Sequence, residues 1–250
     1  MATRVILVGI GGASCSGKTL LAKHLVRLLP SALLLHQDDF CPPEKDIPVH
    51  PEHGVQDWDD PPTCMDWPRL RDALRQVKTT GHIDHASNDH LNQHTEVNVD
   101  PTVAERWRKR FAQAPAVRWV LVDGFVLYWD QVVADTLDVK LMLRVPKETL
   151  RTRRDQRSYA LQHTDDVAAG TVWEDPPGYF DNIVYPAYVK AHAEVFRGAD
   201  VEEGDVEPDS GVVLIHPPHG EEGMTEALIE ACEALLAAAT EGQGHETDQL

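Results

Sequence analysis

The stretch GIGGASCSGKTLLAKHL, from Gly9 to Leu25, narrows the fold more than any other part of this chain. Within it Gly12, Gly17, Lys18 and Thr19 complete the spacing GxxxxGK[ST]. RVILVGI (Arg4 to Ile10) just before it is nearly all apolar, the pattern of a parallel strand buried on both faces; Lys18 to Leu29 just after it has helical periodicity. Glycines placed between such a strand and helix form a loop whose backbone N–H groups, together with the positive helix end, surround a polyphosphate. Side chains at Gly12 or Gly17 would obstruct that approach. The expected ATP contacts are therefore Gly12, Ala13, Ser14, Cys15, Ser16, Gly17, Lys18, Thr19 and Leu20. Lys18 would reach the β and γ phosphates and Thr19 would offer its hydroxyl to Mg²⁺. Cys15 is expected to serve only as a small residue.

Strand and helix signals alternate along the rest of the chain. ALLLHQDDF (Ala32 to Phe40) reads as a second strand ending in acids, VRWVLVDGF (Val117 to Phe125) as a third, VKLMLRV (Val139 to Val145) as a fourth and GVVLIH (Gly211 to His216) as a fifth. Helices are expected at Trp67 to Lys78, Lys147 to Arg157, Pro186 to Arg197 and Thr225 to Ala239, the last capped by Thr225. Such alternation specifies an α/β fold of the P-loop NTPase type: a doubly wound, mainly parallel five-stranded sheet flanked by helices, with ligands at the carboxyl ends of its strands. The expected organisation is a single P-loop domain over residues 1–240, an insertion at about 79–116, a lid at about 151–180 and a disordered tail at 241–250. Gly81 to Pro101 is polar and carries His82, His85, His90 and His94 without a tight ligand framework, so it reads as a solvated insertion, with a metal site as the competing reading.

Charge limits the partners. At −18 over 250 residues, the chain has no excess of Lys and Arg with which to neutralise a nucleic-acid polymer, so any anion site must be local. Four cysteines lack CxxC spacing, no secretory segment precedes the first strand, and no apolar run reaches membrane-spanning length. A cytoplasmic protein without a membrane partner is expected, with access to the nucleus left open.

A phosphate loop does not by itself distinguish an ATPase, a switch and a small-molecule kinase; the other charges must. HQDDF puts Asp38 and Asp39 at a strand end, on opposite faces if the strand continues. A carboxylate there could take the proton from an acceptor hydroxyl and also hold Mg²⁺. WVLVDG ends in Asp123, with the shape of an acid that orients Mg²⁺ near Thr19. RTRRDQR gathers Arg151, Arg153, Arg154 and Arg157, the last three within an arc of about 100° on a helix. They suit charge neutralisation on a transferring phosphoryl group from a lid; a solvated basic face is the bland alternative.

With these elements in order, the chain resembles the nicotinamide riboside kinases of the uridine kinase-like P-loop group. The resemblance lies in GASCSGKT, HQDDF, GVQDWDDPPTCMDW, VDGF, RTRRDQRSY and PPGYFDNIVYPAYV, together spanning Gly9 to Val189. It implies transfer of the ATP γ-phosphoryl to the 5′-hydroxyl of nicotinamide riboside, and commonly of nicotinic acid riboside, making the mononucleotide for NAD synthesis. It also implies residue roles. Asp39 would be general base and metal-associated acid, with Asp38 as the competing choice, and Phe40 would adjoin the substrate. Asp59 would grip the ribose hydroxyls, Trp58 and Tyr159 would flank the nicotinamide ring, Arg154 would touch substrate, and Arg153 and Arg157 would lie near the ATP phosphates. Asp123 stands where better-known animal members carry Glu, and its shorter carboxylate reaches less far. The His-bearing insertion and a longer lid are further departures. The alternatives are a uridine/cytidine kinase, which shares the fold and the paired acids, and a regulatory protein that binds ATP without turnover. The aromatics at Trp58 and Tyr159 favour a cationic pyridinium over a pyrimidine, and the intact charged groups weigh against loss of turnover.

Overall fold

The parallel register of the central strands brings the chemistry-bearing residues to one edge of the sheet. In a computed structural model, residues 3–83, 97–156, 159–160, 172–173, 175–217 and 220–241 are described. Strand β1 (Arg4–Gly12) is followed by α1 (Lys18–Leu28), β2 (Leu33–His36), α2 (Trp67–Thr80), α3 (Pro101–Gln113), β3 (Val117–Gly124), α4 (Gln131–Thr136), β4 (Val139–Leu143) and α5 (Lys147–Asp155). A two-stranded hairpin, β5 (Tyr159–Ala160) with β6 (Val172–Trp173), precedes α6 (Tyr185–His192), β7 (Val212–Ile215) and α7 (Gly220–Glu241). The main sheet has the order β2-β3-β1-β4-β7, every pair parallel. From β1 the chain goes to β2 and β3 on one side of it and then crosses through α4 to β4 and β7 on the other, which opens a crevice at the carboxyl end of β1, where the phosphate loop lies.

Both faces of the sheet are covered, and the strand pleat explains the continuous apolar runs. Leu7, Val120 and Val122 face a core built with α2, α4 and α6; Ile6, Val8, Ile10, Trp119 and Leu121 face a second core with α1, α3 and α7. Burying each such side chain contributes about 1.5–3 kcal/mol. The doubly wound parallel sheet expected from the alternation is the observed fold.

Several local expectations are corrected. Ala32 to Phe40 is not one strand: β2 stops at His36 and Gln37–Phe40 form a 3₁₀ turn, so the alternation of strand faces does not separate Asp38 from Asp39. Thr225 caps nothing. The last helix begins at Gly220, and the Thr225 hydroxyl sits inside it, donating to Glu221 O at 2.8 Å and accepting from Asp100 N at 3.0 Å. Within the stretch read as an insertion, residues 101–113 form α3. Asp100 caps it and Pro101 is its first residue, while Trp107 and Phe111 are packed in the second core and Phe111 meets Trp119 edge-on at 5.8 Å. The expected helix over Pro186 to Arg197 is instead a π turn at Phe180–Val184, then α6, then 3₁₀ turns. His85, His90, His94, Arg157 and residues 242–250 lie outside the described residues, as does the side chain of Tyr159. No described helix is long and apolar enough to cross a membrane.

Candidate active site

The phosphate loop is built by backbone conformation before any ligand is considered. Gly12 has φ +148°, and a Cβ there would lie 2.8 Å from both the Leu143 carbonyl and Ser16 Oγ, so the protein's own packing demands glycine. Gly17, at φ +98°, is the left-handed cap from which α1 starts; Leu21 N donates to its carbonyl at 3.0 Å. Cys15 is more than a small residue, because it holds a left-handed φ of 67° without being glycine. Ser14 is half-buried; Ala13, Ser16, Lys18 and Thr19 are buried; and Leu20 lies in the first turn of α1. Ser16 Oγ is shielded and has no hydrogen-bond partner among the described residues.

Beside this loop, sheet register pairs His36 with Asp123 and Asp123 with Ile10. His36 Nδ1 donates to Asp123 Oδ2 at 3.1 Å, both side chains being buried. Burial would raise the Asp123 pKa, but the bond from His36 and the nearby Lys18, His36 and Thr19 hold it below the usual carboxylate value. The same partnership raises His36: burial opposes its charge, and Asp123, Asp38 and Asp39 more than offset that. Asp123 Oδ1 is shielded and lacks a well-formed hydrogen bond among the described residues, although the Thr19 hydroxyl lies beside the carboxylate. An ionised buried oxygen without a firm donor, next to a hydroxyl, fits a hard divalent cation. Thr19, Asp39 and Asp123 are the oxygen donors that could hold Mg²⁺. No group of three or more His, Cys, Asp or Glu that could hold a metal occurs among the described residues.

The QDDF turn forms the next wall. Gln37 Oε1 accepts from Val126 N at 3.1 Å, and a Cβ on Gly124 would lie 2.5 Å from that oxygen, so the glycine after Asp123 lets the turn dock onto the end of β3. Asp38 is exposed, whereas Asp39 is half-buried with Oδ2 shielded, and Arg69 Nη2 donates to the Asp39 carbonyl at 2.6 Å. The ring of Phe40 is in the core with Arg69 over it, 5.0 Å from its centroid.

The third wall is the segment before α2. Asp57 Oδ1 accepts from Asp59 N at 3.1 Å and Asp60 N at 2.9 Å, closing a turn that buries Asp59 and leaves Trp58 half-exposed. Burial, then the neighbouring Asp57, Asp175 and Asp38, raise Asp59 from 3.8 to about 6 against the opposing pull of Arg154. Tyr179 braces this turn: its hydroxyl accepts from Trp58 N at 3.3 Å and donates to Gln56 O at 3.0 Å.

The arginines of α5 divide their work. Arg151 turns to Asp181 at 2.6 Å, a partly exposed ion pair on the helix flank. Arg153 Nη1 donates to the phosphate-loop carbonyls of Cys15 at 3.2 Å and Ser16 at 3.4 Å. Arg154, only 9% exposed, bonds Asp175 through Nε at 2.6 Å and Nη2 at 3.1 Å, and Ser14 Oγ through Nη1 at 2.8 Å.

The fold thus brings together Lys18, Thr19, Asp39, Asp59, Asp123, Arg153 and Arg154, all named from the sequence. His36, Asp175 and Tyr179 were missed as site residues. His36 stands in HQDDF and Tyr179 in PPGYFDNIVYPAYV, with Asp175 directly before the latter, but the only signal that could have singled them out was sheet register or long-range pairing.

No protein-family model matches the chain. It is, however, 34% identical over 236 residues to the nicotinamide riboside kinase of Eremothecium gossypii, covering 94% of this chain and 93% of that one. It is 33% identical to the nicotinamide riboside kinase of Saccharomyces cerevisiae over 80% of this chain and 82% of the relative. Nicotinamide riboside kinase 2 of Homo sapiens is 30% identical over 76% of this chain and 69% of its own length. Similarity of this extent shows that the chain belongs to the nicotinamide riboside kinase family.

Proposed function

We propose that this protein transfers the γ-phosphoryl group of ATP to the 5′-hydroxyl of nicotinamide riboside, and of nicotinic acid riboside, within one kinase domain spanning residues 1–240. The observation that carries the reading is that Arg154 bonds Ser14 of the phosphate loop while its charge acts on buried Asp59, so that donor and acceptor pockets meet at one guanidinium.

In this reading Lys18 and Arg153 counter the charge of the transferring group, and the loop N–H groups orient it. Asp39 accepts the 5′-hydroxyl proton as the new O–P bond forms and the bond to the β-phosphate oxygen breaks, releasing ADP. A base positioned in this way contributes about 10²–10⁴-fold. Asp59 accepts bonds from the ribose hydroxyls, and Trp58 lies against the pyridinium, with Tyr159 assigned to its other face. A pyridinium over an aromatic ring gains about 0.5–2 kcal/mol that neutral uridine does not. Thr19, Asp39 and Asp123 would hold Mg²⁺, which when bound supplies charge neutralisation on the phosphate oxygens. A cytoplasmic setting belongs to the same reading, supported by Cys15, Cys41, Cys64 and Cys232 forming no disulfide among the described residues.

A coupled ADP-release assay with nicotinamide riboside, nicotinic acid riboside, uridine and cytidine tests it. The highest kcat/KM is expected for the nicotinamide and nicotinic acid ribosides. Preference for uridine or cytidine would make the chain a pyrimidine nucleoside kinase, and absence of turnover with all four would leave ATP binding without transfer.

A further inference from the structure

Arg154 sits at the end of α5 and would be free to swing if nothing fixed it, since its stem carries several rotatable bonds. Asp175 removes that freedom. Its carboxylate takes the Nε–Nη2 edge of the guanidinium in two parallel bonds of 2.6 and 3.1 Å, a fork that sets the plane as well as the position of the group. With that edge occupied, Nη1 is directed to Ser14 Oγ at 2.8 Å. These three bonds use three of the guanidinium's five N–H groups and hold it between the phosphate loop and Asp59. Burial makes the arrangement consequential, because Arg154 is 9% exposed and the Asp175 side chain 20%, so water competes poorly for either.

The distribution of charge adds a second argument. Asp57, Asp38 and Asp175 all act on Asp59, and Arg154 is the cation that acts on it in the opposite sense. An arginine drawn by several carboxylates has alternative partners, and the fork to Asp175 selects one geometry among them. Chain order also fits this role. Asp175 lies directly before Pro176 and Pro177, and Tyr179, four residues on, braces the Asp59 turn, so one short segment supports both the acid and the arginine.

We propose that Asp175 is a positioning residue for the transfer reaction: it orients the Arg154 guanidinium so that Arg154 joins the phosphate loop to the riboside pocket. The assignment rests on the kinase reading above. In this role Asp175 acts through Arg154, beside the effect of its own charge on Asp59.

A double-mutant cycle tests this. Wild type, Asp175→Asn, Arg154→Ala and the double variant are compared by kcat, KM for nicotinamide riboside and kcat/KM, with thermal melting to confirm folding. Asp175→Asn is expected to lower kcat/KM for the riboside about 10-fold or more, chiefly through KM. In the Arg154→Ala background the same change is expected to alter it less than about two-fold, as follows if one residue works through the other. Asp175→Glu, which keeps the charge, should recover part of the loss, and it replaces Asp175→Asn in the cycle if that variant melts below assay temperature. Equal losses in both backgrounds, or no loss in Asp175→Asn, would overturn the assignment. Absence of wild-type turnover on nicotinamide riboside overturns the kinase reading instead. The cycle is then read on Mg-ATP affinity, where the Arg154 bond to Ser14 leads to the same expected non-additivity, and additive effects would reject the positioning role.

Discussion

His36 and Asp123, 87 residues apart in sequence, are register partners on β2 and β3, and their side chains meet at 3.1 Å beside the first turn of α1. The histidine, together with Lys18 and Thr19, holds the buried Asp123 carboxylate below its usual value and so favours its ionised form. His36→Ala should therefore cost about 1–3 kcal/mol of stability, the penalty for a buried acceptor that loses its donor. It should also raise the Mg²⁺ concentration needed for half-maximal turnover. Urea unfolding and a Mg²⁺ titration check both parts, and an unchanged Mg²⁺ dependence would separate His36 from the metal.

Lys18 opens α1 from a left-handed glycine and is buried at the phosphate loop. Lys18→Ala is expected to lower kcat by roughly 10²-fold or more, the scale for removing one preorganised charge from a phosphoryl site. Its circular dichroism and melting temperature should stay close to wild type. Near-normal kcat in a folded variant would remove the loop from the reaction.

The choice between the two acids of the QDDF turn rests on exposure, now that strand alternation no longer applies. Asp38 is exposed and Asp39 has a shielded oxygen. Asp39→Asn should reduce kcat roughly 10²-fold or more, and Asp38→Asn far less. Single-turnover rates at saturating substrate measure this, and the reverse order would exchange the roles.

Asp59 carries a pH signature. Its folded value of about 6 exceeds the ordinary 3.8, so the folded protein holds this proton more tightly than the unfolded chain does. Stability from this group is therefore greatest below about pH 4 and falls as pH rises towards about 6, by about 1–3 kcal/mol. Asp59→Asn should flatten that part of the stability profile in denaturant melts between pH 4 and 7. In wild type, KM for the riboside should fall as pH rises through about 6, because the ionised carboxylate is the stronger acceptor for ribose hydroxyls. The variant should discriminate poorly between the riboside and its 2′-deoxy analogue, and an intact preference would assign ribose reading elsewhere.

Strands, phosphate loop and most of the acids were legible in the amino-acid order because their signals are local. An apolar run buried on both faces, or two glycines at positive φ around a GxxxxGK spacing, is set by backbone sterics within a few residues. Motif matching extended this to Asp59, Arg153 and Arg154, whose side chains the fold places at the same edge of the sheet. What the order of residues could not determine was which distant groups meet. The bond from His36 to Asp123 follows from a parallel register, the fork between Arg154 and Asp175 from how α5 faces the segment before Pro176, and the burial of α3 from Trp107 and Phe111 reaching the sheet. Even Thr225, a fitting cap by local rules, became an interior helix residue that accepts from Asp100. Local geometry determined the elements and the phosphate loop; only tertiary packing, which sets the separation and solvent exposure of charges far apart in the chain, decided how those charges are held and in what state they are protonated.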